Sequence, residues 1–154
     1  MCIRDSLIEA QGHVGVVQSL QIFCTILTSP ENKKIIIPNG PLSSGAMVNY
    51  SAEGKIRVDT EVGISYDANI DQAKKVLQDM LAKDPRVLKN PAPTVAVSAL
   101  ADSAVNLVVR PWCDPAVYWD VFFDTLENTK KELDKVGIGI PYPQQDVHHY
   151  NQPA

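Results

Sequence analysis

Three histidines, three cysteines and eighteen acidic residues are among the side chains of this sequence able to ligate a metal, act as a nucleophile or move a proton. His148 and His149 are adjacent, and neighbouring side chains on an extended segment point to opposite faces. No cysteine or carboxylate near them stands at a ligand spacing, so the pair reads as a solvated tail. His13 sits in Gln11-Gly12-His13, a turn-like triplet. A Cys113–His13 nucleophile and base would have to meet in space rather than in sequence; nothing beside either residue favours that over a buried structural cysteine. Phosphate cradles require glycines that open a helix. Here β-type sequence follows Gly12 and Gly15, and no clear helical stripe follows Gly40 and Gly45. Asp67 and Asp71 bracket a helix start, where the helix dipole favours anions, so they read as structural rather than as an acid–base pair. Trp112, Tyr118 and Trp119 read as an aromatic cluster at a core edge. No catalytic, cofactor-binding or metal-ligating residue is expected, and the chain does not read as an enzyme.

The elements that would position these residues fall into two regions. From residue 7 to about residue 50 the pattern is one of short strands and turns. Val14, Val16 and Val17 are extended-type residues, and Leu20, Ile22, Cys24 and Ile26 alternate with Gln21, Phe23 and Thr25. Ser29-Pro30-Glu31-Asn32 is a turn cluster before the β-branched run 33–37, and Pro38-Asn39-Gly40-Pro41 stops that strand, because proline lacks a ladder donor and Asn-Gly takes left-handed turns. Gly40 is therefore expected at positive φ. About 45 residues of short strands read as too few to close a core alone.

From residue 55 the alternation is cleaner. Ile56, Val58, Thr60, Val62, Ile64 and Tyr66 predict a strand with one wet face. Asn69 offers an N-cap with Gln72 three residues on, and Ile70, Ala73, Val76, Leu77, Met80 and Leu81 follow at helical spacing until Asp84-Pro85. Two extended segments, 94–100 and 104–112, come next. Asp114-Pro115 starts a second helix whose expected inward stripe is Tyr118, Phe122, Leu126, Thr129, Leu133 and Val136, with Gly137 as its stop. Residues 138–142 are a last strand candidate. The order strand–helix–strand–strand–helix–strand is the split βαβ arrangement of ferredoxin-like domains, which alone says nothing of function.

Composition narrows the classes. The chain has 154 residues, 45% apolar and 21% charged, near the globular average and far from a disordered composition. Fourteen basic against eighteen acidic residues leave a net charge of −4, the wrong sign for nucleic-acid binding driven by clustered positive charge. No run approaches the ~20 apolar residues of a membrane-spanning helix, and no signal peptide is visible after residues 1–6. Cys2, Cys24 and Cys113, odd in number and far apart, form no disulfide framework.

Five motifs, taken together, are more specific than any of this. They are Ile8-Glu9-Ala10-Gln11-Gly12-His13-Val14-Gly15, the segment 17–25 with its Gln21-Ile22-Phe23, Ile35-Ile36-Ile37-Pro38-Asn39-Gly40, Gly63-Ile64-Ser65-Tyr66-Asp67, and Pro141-Tyr142-Pro143-Gln144 followed by Asp146-Val147. In order and spacing, over residues 7–147, the chain resembles the cytoplasmic part of the small-conductance mechanosensitive ion channel (MscS) family. The resemblance implies an α+β chain: residues 1–6 a non-matching, non-native start, 7–53 a small Sm-like β domain, 54–143 a ferredoxin-like α+β domain, and 144–154 a C-terminal strand and tail. It implies no cofactor, no nucleic acid, and self-association, as a homoheptamer, into a hollow cage at the cytoplasmic side of the inner membrane. Membrane contact would come only through upstream helices that this chain lacks.

Implied subunit contacts are Leu20, Ile22, Ile26, Ile35, Ile36 and Ile37, since strand edges normally need a cover. Pro38, Asn39 and Gly40 form the structural turn and family motif. Gln144, Asp146 and Val147 are assigned to a terminal barrel. The implied function is the vestibule of a tension-gated channel releasing ions and small osmolytes under hypo-osmotic stress. The alternative is a soluble homo-oligomeric interaction module without transport activity.

Overall fold

The structure is a computed structural model that describes residues 4–145 and 147. It divides into two compact units, one of Met1–Ile56 with Asp114–Ala116, the other of Arg57–Cys113 with Val117–Ala154.

The first unit is one antiparallel five-stranded sheet. Its strands are β1 (Leu7–Ala10), β2 (His13–Leu20), β3 (Cys24–Thr28), β4 (Lys34–Pro38) and β5 (Met47–Asn49), and a short helix, α1 (Asn39–Ser44), separates the last two. The order across the sheet is β4-β3-β2-β1-β5, so β4 and β5 are its edges. Gln11 (φ 51°) and Gly12 (φ 75°) make the two-residue loop joining Ala10 to its partner His13. Two successive positive φ values match the twist of the flanking strands. At Gly15 a Cβ would stand 2.8 Å from the Thr28 carbonyl oxygen, so the close approach of β2 to β3 requires glycine. One face of the sheet buries Ile8, Ala10, Val17, Leu27 and Ile37, with Ile35 and Leu42 against them. The unit thus has a small core of its own, which corrects the expectation that its strands could not close one.

Two further sequence expectations fail in this unit. Residues 20–26 are not one strand: β2 ends at Leu20, Gln21 N–H donates to the Cys24 carbonyl (2.8 Å), and β3 starts at Cys24. No glycine or proline marks that hairpin, so its alternating pattern concealed it. Gly40 is not at positive φ; it lies inside α1. Pro38 is the last residue of β4, opposite Cys24, and α1 follows it directly.

In the second unit, β7 (Thr60–Ile64), β8 (Thr94–Leu100) and β9 (Val105–Arg110) form an antiparallel sheet in the order β7-β9-β8. Two helices, α2 (Ile70–Lys83) and α3 (Tyr118–Lys135), pack against each other. First, third, second is the strand order a split βαβ unit requires. Asn69 caps α2 as expected, its side chain accepting from Gln72 N–H at 3.0 Å. Ala73, Leu77, Met80 and Leu81 of α2 share a core with Ile64, Val95, Val105, Leu107, Val109, Leu133 and Ile138. Gly137 (φ 73°) follows the end of α3.

The predicted strand over residues 56–66 is split into β6 (Ile56–Arg57), which pairs with β10 (Trp112–Cys113), and β7. Thr60 stands opposite Val109, and the same register places Val58 opposite Pro111. Val58 N–H donates to the Pro111 carbonyl (2.9 Å), but Pro111 has no N–H to return, and the ladder lapses there.

Residues 138–142 do not form the expected fourth strand. They make one bond with the end of β7, Ser65 N–H to the Gly139 carbonyl at 3.0 Å. Pro141 and Pro143 remove the donors a ladder would need.

The stripe assigned to the second helix holds in its last turns, where Thr129 and Leu133 are buried and Val136 packs on the core, and is out of phase before them. Before α3, Asp114 accepts from Ala116 N–H (2.8 Å) over a 3-10 turn at Pro115–Val117. Within α3 the buried positions are Val121, Thr125, Thr129 and Leu133, while Leu126 is 41% exposed. Thr125 at an inward position made that part of the face look polar.

Candidate functional site

No side chain is expected from the sequence to do chemistry. Of those weighed for it, Cys113 is fully buried and His13 is exposed at the start of β2. His148 and His149 lie outside the described residues. Among the described residues no group of three or more His, Cys, Asp or Glu side chains could hold a metal ion. Tyr118, Trp119, Phe122 and Phe123 are in mutual ring contact along one side of α3, with Trp119 and Phe123 more than half exposed. Burial raises the Tyr118 phenol, with Asp59 and Cys113 adding to the effect.

Several charged groups of the second unit are paired with one another. Arg86 donates to both Asp84 oxygens (3.0 and 2.7 Å) and to Asp124 Oδ2 (2.6 Å), tying the segment after α2 to α3. Hydrogen bonding to Arg86 holds the Asp84 carboxyl below its usual range, and the two carboxylates raise Arg86 in turn. Asp59 pairs with Arg57 (2.8 Å) and Arg110 (3.0 Å). These are structural ion pairs, not an acid–base centre.

What the first unit offers is surface. Strand alternation sends Ile8, Ala10, Val17, Leu27 and Ile37 to the core, and the register then puts Val14, Val16, Ile36 and Val48 on the opposite face, all exposed. Of the six residues expected at subunit contacts, Leu20 (55%), Ile22 (86%) and Ile36 (60%) are open. Ile37 is buried in the unit's core and Ile35 packs on it, so these two serve its own fold first, while Ile26, also buried, pairs with Ile36 on the opposite face. Phe23, 83% exposed beside Ile22 at the β2–β3 tip, was missed because it occupied a polar place in an assumed strand. An apolar residue out of phase with the alternation was the signal.

The Pro38-Asn39-Gly40 motif lies against this tip. Asn39 Nδ2 donates to the carbonyls of Gln21 (2.8 Å) and Ile22 (3.0 Å), its backbone N–H donates to Phe23 (2.9 Å), and its Oδ1 accepts from Thr25 Oγ1 (2.9 Å). At the other end, Gln144 N–H donates to Ser103 Oγ (3.1 Å), Val147 is exposed, and Asp146 lies outside the described residues. Among the described residues no strand follows α3.

A five-stranded β unit with two open edges and an apolar outer face, followed by a split βαβ unit, defines a two-unit α+β module whose outward feature is apolar surface. The chain belongs to the MscS mechanosensitive ion channel family: the family's β-domain matches residues 5–52 and its C-terminal domain residues 58–140. It is 44% identical over 144 residues to the small-conductance mechanosensitive channel of Edwardsiella ictaluri, covering 94% of this chain and 50% of that protein. An MscS family protein of Synechocystis is 35% identical over 141 residues, 92% of this chain and 48% of its own. Among solved structures, the closed-state crystal structure of Helicobacter pylori MscS matches with a TM-score of 0.89 at 23% identity, over 97% of this chain and 59% of that one. Arabidopsis thaliana MSL1 matches at 0.74 and 20%, over 90% and 52%. At these identities the structural likeness concerns the fold. The chain spans about half the length of the curated relatives it matches, and among the described residues no helix is long and apolar enough to cross a membrane.

Proposed function

We propose that this chain is the cytoplasmic vestibule of a tension-gated channel of the inner membrane, through which ions and small osmolytes leave under hypo-osmotic stress. It acts as a homo-oligomer, a heptamer as the family resemblance implies, and its role is architectural rather than catalytic. The observation that carries this reading is that the two family domains match the two regions of the chain in order, 5–52 and 58–140. The exposed Leu20, Ile22, Phe23 and Ile36 and the open edges β4 and β5 support self-association through the first unit, because uncovered apolar edges are otherwise a liability. Gln144, Asp146 and Val147 are assigned to a barrel formed between copies.

The test is a chimera in which this chain replaces the matching 144 residues of the Edwardsiella channel, expressed in bacteria lacking mechanosensitive channels. Pressure-activated current in membrane patches and survival of hypo-osmotic shock are expected. A chimera that reaches the membrane and assembles, yet passes no pressure-activated current, refutes the transport reading and leaves an interaction module. Light scattering on the chain alone tests assembly: oligomers that survive moderate salt are expected, since apolar and backbone contacts are little screened. A monomer at every concentration with the first unit folded refutes it.

A further inference from the structure

Gln21, Ile22 and Phe23 form a hairpin loop without a glycine, a proline or a positive φ, and within the loop its backbone is closed by the bond from Gln21 N–H to the Cys24 carbonyl (2.8 Å). Ile22 and Phe23 are also among the most exposed large apolar residues described, and apolar side chains on a loop held by that one bond alone would fold back onto the nearest apolar surface. Their three successive carbonyls are instead all satisfied by one residue, Asn39, through both amide hydrogens and its own N–H (2.8, 3.0 and 2.9 Å). The buried Thr25 donates to Asn39 Oδ1 at 2.9 Å. That bond orients the amide so that its nitrogen faces the loop. Aspartate has the shape of asparagine without its donors, and alanine has neither.

We propose that Asn39 is a positioning residue, a latch that holds the 21–23 loop in one geometry and keeps Ile22 and Phe23 projected together as a preformed apolar tip, with Thr25 setting the latch. Any contact the tip makes is then made without the cost of ordering the loop. The latch is a property of the single chain and does not rest on the assembly reading.

Cys24, half-buried at the loop's end with its thiol 3.4 Å from Gln21 Oε1, is a built-in reporter. In a Cys2→Ser background, Cys24 reactivity toward an aromatic disulfide is measured beside amide hydrogen exchange. Gln21 and Asn39 amides report the loop, and Val17 and Leu27 report the sheet core. Asn39→Asp is expected to raise Cys24 reactivity and loop exchange at least about fivefold, the scale of one or more lost net hydrogen bonds, while Val17 and Leu27 stay protected. Thr25→Val is expected to give a smaller rise at the same positions. Changes below twofold in Asn39→Asp, or Val17 and Leu27 losing protection in step with the loop, overturn the latch. If Asn39→Asp does not fold, Thr25→Val decides by the same criterion: a selective loop response supports the latch, and a parallel or absent response refutes it. Both readouts concern the folded chain itself, so a failure of assembly would leave this result standing.

Discussion

Leu133 and Leu126 lie two turns apart on α3, and the periodicity of the sequence places both on the inward stripe; the structure separates them. Leu133 is fully buried among Ile64, Leu77 and Leu107, whereas Leu126 is 41% exposed. Leu133→Ala removes three carbons from the core, a transfer loss of about 2.4 kcal/mol at ~0.8 kcal/mol per buried methylene. The cavity left behind brings the expected cost to roughly 2.7–5 kcal/mol. Leu126→Ala, which only trims a half-wetted side chain, is expected to cost about 1 kcal/mol or less. Trp112 and Trp119 both belong to the second unit, so urea unfolding followed by tryptophan fluorescence reports this unit directly. At an m-value of about 1 kcal/mol/M, the midpoint should fall by roughly 3 M or more for Leu133→Ala and by about 1 M or less for Leu126→Ala. Equal losses, or a larger loss for Leu126→Ala, would refute the phase assigned to α3.

Further outcomes follow from single side chains. Gly40→Ala should leave stability unchanged or raise it by about 0.4–1 kcal/mol, because Gly40 has ordinary φ and a Cβ there meets nothing within 4 Å; thermal denaturation checks this, with Gly137→Ala, at φ +73°, expected to lose about 1 kcal/mol instead. Asn69→Ala should cost roughly 0.5–2 kcal/mol through the lost cap of α2, read by the same urea titration. Asp84 is held below its unfolded range by Arg86, so its contribution is present above about pH 4 and is lost as pH falls through the folded value. The stability gap between the native chain and Asp84→Asn, measured by urea unfolding across pH, should therefore be largest near neutrality and close in acid.

Much of this protein was legible without coordinates because local chemistry decides it. The cap at Asn69, the break at Asp84-Pro85, the turn at Gln11-Gly12 and the stop at Gly137 each depend on one or two residues whose backbone preferences are intrinsic. The family was legible too, because its motifs recur in order along the chain. What sequence could not decide was each choice between two locally acceptable arrangements. Residues 20–26 alternate well enough to be a strand, and only the pairing of β2 with β3 and the reach of Asn39 from beyond β4 turn their middle into a loop. Residues 118–136 hold enough apolar side chains for more than one inward face, and packing against α2 and the sheet selects Val121 and Thr125 over Phe122 and Leu126 ahead of the shared Thr129 and Leu133. A strand over 138–142 fails for want of ladder donors beside β7, and Pro111 interrupts a strand at Val58, 53 residues before it in sequence, because a hydrogen-bonded ladder depends on both of its sides. Local preferences fix the caps and the glycine and proline stops; which face is buried, which loop is held and where a strand is broken by its partner are decided only by what the other elements bring against them.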